Sequence, residues 1–133
     1  MLFRSRAFMD EVAQRGAVGA IQARLDRGAA LPGFGHPLYP EGDPRARVLL
    51  QAMTLPAKYG EALHTGLDLI GTPPNIDFAL AALATRLSLP PEAPFLIFAT
   101  ARCAGWLAHG LEQHQTGHLI RPRARYIGPR LEG

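Results

Sequence analysis

The stretch PGFGHPLYPEGDPRARVLL, residues 32–50, contains a loop followed by a helix start, and the rest of the chain can be interpreted outward from it. Its first half is rich in glycine and proline, which excludes regular secondary structure and predicts an ordered loop or a linker. Asp43 and Pro44 then predict a helix N-terminus. Aspartate is a favoured N-cap residue, and proline at the first helical position lacks only an N–H that would have no helical partner.

Apolar residues recur at three- and four-residue spacings on both sides of this stretch, which is the helical period. Gly16 either separates two short N-terminal helices or breaks a single one, and Gly28 is a predicted helix stop. No segment of four or more residues alternates cleanly between apolar and polar, so strands are not expected, except at most near Tyr126. The pattern predicts an all-α fold of five to six helices, over residues 7–15, 17–27, 44–54, 56–70, 76–87 and 92–115.

Length and composition indicate one folded domain. The chain has 133 residues, of which 47% are hydrophobic and 19% are charged, and this apolar content is sufficient to offset the entropy of ordering. We expect residues 1–120 to form a helical domain and residues 121–133, rich in arginine, to form an extended basic arm. The arm accounts for the whole net charge of +3. Because the basic cluster is short and has only Tyr126 to stack on bases, nucleic-acid binding is not expected.

Composition also bears on metals and compartment. Cys103 is the only cysteine, which excludes a disulfide framework and Cys-based zinc sites and favours a reducing cytoplasm. His114 and His118 have a spacing that can bind zinc on a helix, but no HExxH-like acid accompanies them, so no metal is expected. The longest apolar stretch, residues 95–108, is too short to span a bilayer. Residues 1–10 lack the apolar core of a secretory signal, and we expect a soluble, cytoplasmic protein.

Three polar features could carry chemistry. Two glycines before His36 permit backbone conformations closed to other residues, so this loop is either a structural turn or a ligand-binding loop. Asp77 is expected in the first turn of a helix, where it is either an ordinary first-turn acid or a general base. Arg102 projects, by its helical spacing, from an apolar stripe, which calls for a protein carboxylate or an anionic ligand as its partner.

Four motifs follow one another along the chain: PGFGH at 32–36 with DPRA at 43–46, PNIDF at 74–78, ARCAGWLAH at 101–109 and IRPRARY at 120–126. In order and spacing they resemble the C-terminal part of the citrate synthase family. The similarity extends from about Ala17 onward and corresponds to the last third of a usual family member. The resemblance implies the all-α fold of that family's small domain.

The resemblance also implies a reaction, the condensation of acetyl-CoA with oxaloacetate to citrate and CoA. In that reaction Asp77 would remove a proton from the thioester methyl group, and His36 would hydrogen-bond the ketone oxygen of oxaloacetate. The arginines implied to hold the substrate carboxylates are Arg45, Arg102 and Arg121, the last matching an arginine that reaches the neighbouring subunit's site. The residues implied for the CoA-binding region are Gly33, Phe34, Gly35 and Asn75. No cofactor is implied, because the CoA thioester is a substrate.

Two departures from the family's pattern bear on function. No histidine precedes His36, whereas the family has an upstream His-Gly-Gly segment, whose histidine polarises the thioester carbonyl, and a large helical domain. Pro37 and Pro40 stand where members often carry basic residues, which removes candidate contacts to the phosphates of CoA. The acyl donor is either acetyl-CoA or propionyl-CoA. We expect a homodimer or a partner chain that supplies the large domain. The alternative is a module that binds CoA or a dicarboxylate without catalysis.

Overall fold

The computed structural model describes residues 2–117, and within this range the chain is helical and has no strand. Its helices are α1 (Leu2–Arg15), α2 (Ala17–Leu25), α3 (Pro44–Gln51), α4 (Ala57–Ile70), α5 (Ile76–Arg86) and α6 (Ala93–Thr116). The all-α prediction is confirmed for this part of the chain. Between α2 and α3 lies an irregular segment of residues 31–42, here called the glycine–proline loop.

Three predicted helix starts are confirmed. Gly16, at a φ of 75°, separates α1 from α2. Asp43 caps α3, and Pro44 occupies the first helical position. Asn75 caps α5 through a hydrogen bond from the Asp77 N–H to its side chain. These starts depend on residues next to one another in sequence, which is why the local pattern identifies them.

Helix α1 begins at Leu2, more than a turn before the start predicted at residue 7. The cause is tertiary packing, because one buried face extends into the first turn and includes a polar residue that an apolar pattern omits. The members of this face are Ser5, Phe8, Met9 and Val12. The ends of α2 and α3 fall two and three residues before the predicted ends.

The core lies where α5 packs between α1 and α3 and where α2 and α4 close it. Helix α5 is buried along most of its length, and most of its buried residues are alanines. Their small side chains let the neighbouring helices approach closely. Phe78, in the first turn of α5, is fully buried and makes edge-to-face contacts to Tyr59 at 5.4 Å and to Phe34 at 5.3 Å between ring centroids. Phe78 therefore connects the glycine–proline loop to the helical core.

The chain divides into two compact units, Met1–Ala101 and Arg102–Gly133. The domain boundary predicted at residue 120 lies outside the described residues and stays a prediction. The second unit carries three large apolar side chains, each more than half exposed, on α6: Trp106, Leu107 and Leu111. None of the helices described is both long and apolar enough to cross a membrane.

Gly16, the N-cap residue of α2, has no side chain that could accept a hydrogen bond from the helix start. Glu61 of α4 accepts one instead. The Ala17 N–H donates to Glu61 Oε1 over 3.2 Å. We expect Glu61→Ala to lower the free energy of unfolding by about 1 kcal/mol and the melting temperature by about 4 °C. Glu61→Gln keeps an acceptor oxygen and should retain most of the stability in thermal denaturation. Equal losses in both variants would show that the charge, and not the cap, is responsible.

Candidate active site

The glycine–proline loop is fastened to the start of α5 by three hydrogen bonds. The Asn75 N–H donates to the Gly33 carbonyl oxygen over 2.8 Å, and the Gly35 N–H donates to the Pro73 carbonyl oxygen over 2.9 Å. The Asn75 side chain donates from Nδ2 to the Gly35 carbonyl oxygen over 2.7 Å, while its Oδ1 accepts the Asp77 N–H. The loop and the first turn of α5 are therefore one connected structure.

Gly33 lets the loop approach α5 more closely than another residue would. Its φ of 88° lies in the region that favours glycine, and a Cβ built on it would lie 3.1 Å from the Phe78 Cβ. Phe34 packs still more closely on α4, because a Cβ on Gly66 would lie 2.6 Å from its ring. Two glycines, one in the loop and one in a helix, thus set the depth of the loop against the core.

The buried Asp43 side chain joins α3, α5 and Arg45. Its Oδ1 accepts the Arg45 N–H over 3.1 Å and Arg45 Nε over 2.9 Å, and its Oδ2 accepts Arg45 Nη2 over 2.9 Å and the Ile76 N–H over 3.0 Å. Burial by itself raises the pKa of Asp43, but the hydrogen bonds from Arg45 and from the Ile76 amide outweigh it, and the pKa lies below its usual value. The hydrogen bond to Asp43 in turn raises the pKa of the Arg45 guanidinium.

A cavity of about 550 Å³ is lined by the loop, by the first turns of α1, α3 and α5 and by the first two turns of α6. His36, Arg45 and Asp77 all line it, so an imidazole, a guanidinium and a carboxyl group share one space. The residues predicted for CoA binding line the same cavity: Gly33, Phe34, Gly35 and Asn75. Folding thus brings together seven residues that the sequence singled out, from two of the four motifs.

The His36 ring is oriented by a backbone donor. The Leu38 N–H donates to His36 Nδ1 over 3.2 Å, and because a neutral imidazole has one acceptor nitrogen, the ring proton then lies on Nε2. Arg45 Nη2 lies 3.4 Å from Nε2, and in this tautomer both atoms are donors, so the contact is not a hydrogen bond. His36 Nε2–H and the guanidinium can therefore donate together to oxygens of an anionic ligand.

Asp77 is half-buried in the first turn of α5, as predicted. Burial raises its pKa above the usual value, and the nearby Arg45 and His36 lower it only in part. A carboxylate that is poorly solvated accepts a proton more readily than a surface aspartate does. The geometry therefore places a proton acceptor beside the donors His36 and Arg45.

The two other predicted arginines, Arg102 and Arg121, are not among the described residues that line the cavity. Arg102 belongs to the second unit, and its side chain is exposed, with no carboxylate partner among the described residues. Trp106, one of the apolar neighbours of Arg102 on this helix, is itself 58% exposed, and an anionic ligand as the partner of Arg102 stays a prediction. Arg121 lies outside the described residues.

Among the cavity-wall residues that sequence reasoning missed are Arg4, Ser5, Phe95 and Phe98. Aromatic residues in an apolar helix and polar residues in a first turn are common, so the local pattern does not distinguish them. A usable signal exists only for Ser5, which precedes the buried Phe8 by three residues and Met9 by four, and so shares their helix face.

An oriented imidazole, a guanidinium and a half-buried carboxyl group in one cavity define a site for acid–base chemistry on an anionic ligand. The sequence model of the family described as "Citrate synthase, C-terminal domain" matches residues 4–123. The chain belongs to the citrate synthase family, as its motifs predict.

Individual relatives agree with this assignment. "Citrate synthase 2" of Bacillus subtilis is 40% identical over 119 residues, which cover 82% of this chain and 32% of that protein. "Citrate synthase" of Haloferax volcanii is 36% identical over 118 residues, covering 81% of this chain and 31% of that protein. The crystal structure of citrate synthase from Thermotoga maritima matches with a TM-score of 0.73 and 29% identity, over 97% of this chain and 40% of that chain. The chain thus spans about a third of the length of the curated relatives it matches.

Proposed function

We propose that the chain provides the small-domain part of a citrate synthase-type active site, which condenses acetyl-CoA with oxaloacetate to give citrate and CoA. The observation that carries the proposal is the cavity shared by His36, Arg45 and Asp77. The chain spans about a third of the length of its curated relatives, and in this proposal a large domain completes the site.

Asp77 is the general base of the proposed reaction. It takes a proton from the methyl group of the thioester, and the resulting enolate carbon attacks the ketone carbon of oxaloacetate. A thioester methyl is a weak carbon acid, so the base gains from a fixed position and from a raised pKa. Attachment to the first turn of α5 and half-burial meet both requirements. Water then hydrolyses the condensed thioester and releases CoA.

His36 and Arg45 bind oxaloacetate in this proposal. The Nε2–H of His36 donates to the ketone oxygen, on which negative charge develops as the new carbon–carbon bond forms. Arg45 uses Nε and Nη2 on Asp43, which leaves Nη1 without a partner among the described residues and available for a substrate carboxylate. Arg102 and Arg121 remain proposed carboxylate-binding residues, since guanidinium groups match carboxylates in geometry and charge.

The CoA thioester lies along the glycine–proline loop in this proposal. Gly33, Phe34 and Gly35 present main chain and one aromatic ring to the cavity, and Asn75 lines it from the start of α5. Low side-chain bulk in this segment permits a close approach by an extended pantetheine chain.

An assembly is part of the proposal. Trp106, Leu107 and Leu111 are each more than half exposed on α6, and apolar side chains grouped in this way are typical of a surface that a partner covers. The partner is either a second copy of the chain or a chain that carries the large domain.

Release of free thiol from acetyl-CoA in the presence of oxaloacetate tests the proposal. We expect turnover when the chain is mixed with a second chain that supplies the large domain, for example the corresponding part of the Bacillus subtilis relative. Propionyl-CoA, assayed in parallel, distinguishes the two candidate acyl donors. Absence of turnover in every combination, from folded protein, would contradict the proposal. Binding of either ligand without turnover would instead support a module that binds CoA or a dicarboxylate.

A further inference from the structure

Ser5 is a buried polar residue in the wall of the cavity. It lies in the first turn of α1 and lines the same space as His36 and Asp77. Its side chain is 1% exposed, and Oγ has no hydrogen-bond partner in the described part of the chain. Most buried side-chain polar atoms in folded proteins have a partner, and one without a partner lowers stability. The hydroxyl therefore calls for a partner that the described chain does not supply.

The position of the hydroxyl is fixed by its neighbours in the loop and in α5. A Cβ on Gly33 would lie 3.4 Å from Ser5 Oγ and 3.1 Å from the Phe78 Cβ. Gly33 therefore brings the main chain of the loop close to Oγ without adding a side chain there. Phe78 directly follows Asp77, so the hydroxyl lies next to the turn that carries the proposed base.

We propose that the Ser5 hydroxyl is a substrate-binding group of this site, which donates a hydrogen bond to a carbonyl-type oxygen of the bound ligand. The inference rests on the proposed function. At their reacting ends the thioester and oxaloacetate carry acceptor oxygens only, so a hydroxyl that binds either of them must act as the donor. Ser5 is a third donor beside His36 and Arg45, and it comes from a different helix.

The first test is thermal denaturation of the full chain without ligand. We expect Ser5→Ala to raise the melting temperature by about 2–6 °C, because it removes a buried hydroxyl that has no partner. Thr54→Ala, which removes an exposed hydroxyl away from the cavity, is the control and should leave the melting temperature within about 1 °C. An unchanged or lower melting temperature for Ser5→Ala would overturn the inference, since the hydroxyl would then have a structural partner.

The second test is calorimetric binding of acetyl-CoA and of oxaloacetate, each titrated separately into the chain together with the large-domain chain. Ser5→Ala should raise the Kd about tenfold for the ligand whose oxygen accepts the hydrogen bond. Weaker binding of acetyl-CoA would identify the thioester carbonyl oxygen as the acceptor. Weaker binding of oxaloacetate would identify a ketone or carboxylate oxygen. Wild-type Kd values for both ligands would overturn the inference and leave the proposed function intact. A wild-type protein that binds neither ligand would overturn both.

Discussion

Replacing Asp77 with asparagine should lower the rate of condensation by about a hundredfold to ten-thousandfold. The amide has nearly the same shape as the carboxylate but cannot take up the methyl proton, so kcat should fall while the KM values change little. Thiol release measures the overall reaction, in the assembly in which the wild-type chain is active. Exchange of the acetyl-CoA methyl protons with D₂O, followed by NMR, measures the proton transfer itself.

Asp68→Asn is the matched control for this substitution. Asp68 is an exposed carboxylate on α4 and does not line the cavity, so its replacement should leave both rates unchanged. Methyl-proton exchange at the wild-type rate in Asp77→Asn would contradict the role of Asp77 as the base.

Asp77→Asn should also stabilise the fold at neutral pH. Burial raises the pKa of Asp77 in the folded chain above its model-peptide value of 3.8, so the folded state retains this proton to higher pH than the unfolded state does. Wild-type stability therefore falls as pH rises from 3.8 through the folded pKa, and a neutral amide avoids that loss. The variant should therefore have a higher melting temperature than the wild type at neutral pH, and the two melting temperatures should agree well below pH 3.8.

Asp43→Ala is expected to have the largest effect on stability, a loss of about 2–4 kcal/mol in the free energy of unfolding. The substitution removes the cap of α3 and leaves the Ile76 and Arg45 N–H groups without their acceptor. It also releases the Arg45 guanidinium from the geometry in which it lines the cavity, so binding of the dicarboxylate should weaken as well. Urea unfolding followed by circular dichroism measures the loss, and Asp10→Ala, at an exposed carboxylate of α1, should stay within about 0.5 kcal/mol.

The effect of Asp43→Ala should depend on pH. Hydrogen bonds hold the pKa of Asp43 below its model-peptide value of 3.8, so the stability that the carboxylate contributes is present above that pH and is lost as pH falls through the folded pKa. The difference between wild type and variant should therefore shrink in acid. If wild type and variant differ in free energy of unfolding by the same amount at pH 3 and at pH 7, the charge of the Asp43 carboxylate does not contribute to stability.

The sequence predicts those parts of the fold that depend on neighbouring residues. Asp43 with Pro44, Gly16 and Asn75 determine helix starts through their own backbone or side-chain preferences, and all appear where the pattern places them. The family motifs, in the right order, also predict that His36 and Asp77 belong to one site, and they line one cavity. Their roles in catalysis stay predictions, which the substitutions above test.

Contacts between distant segments escape this reasoning. The Ile76 N–H finds its acceptor in Asp43, 33 residues away, and the start of α2 finds its cap in Glu61, 44 residues from Ala17. Neither pairing leaves a periodic signal in the sequence. Arg102 shows the converse case: its spacing indicates apolar neighbours, but whether those neighbours are buried depends on what covers them.

The hydrogen bonds between the glycine–proline loop and the start of α5 have a consequence for the proposed proton transfers. Asn75 is hydrogen-bonded to both Gly33 and Gly35, so the loop that carries His36 and the turn that carries Asp77 are held to each other. In the proposed reaction the substrates therefore meet the donor His36 and the acceptor Asp77 at a separation that folding has already fixed. The entropy of bringing these two groups together is lost once, when the chain folds, and not in every catalytic cycle.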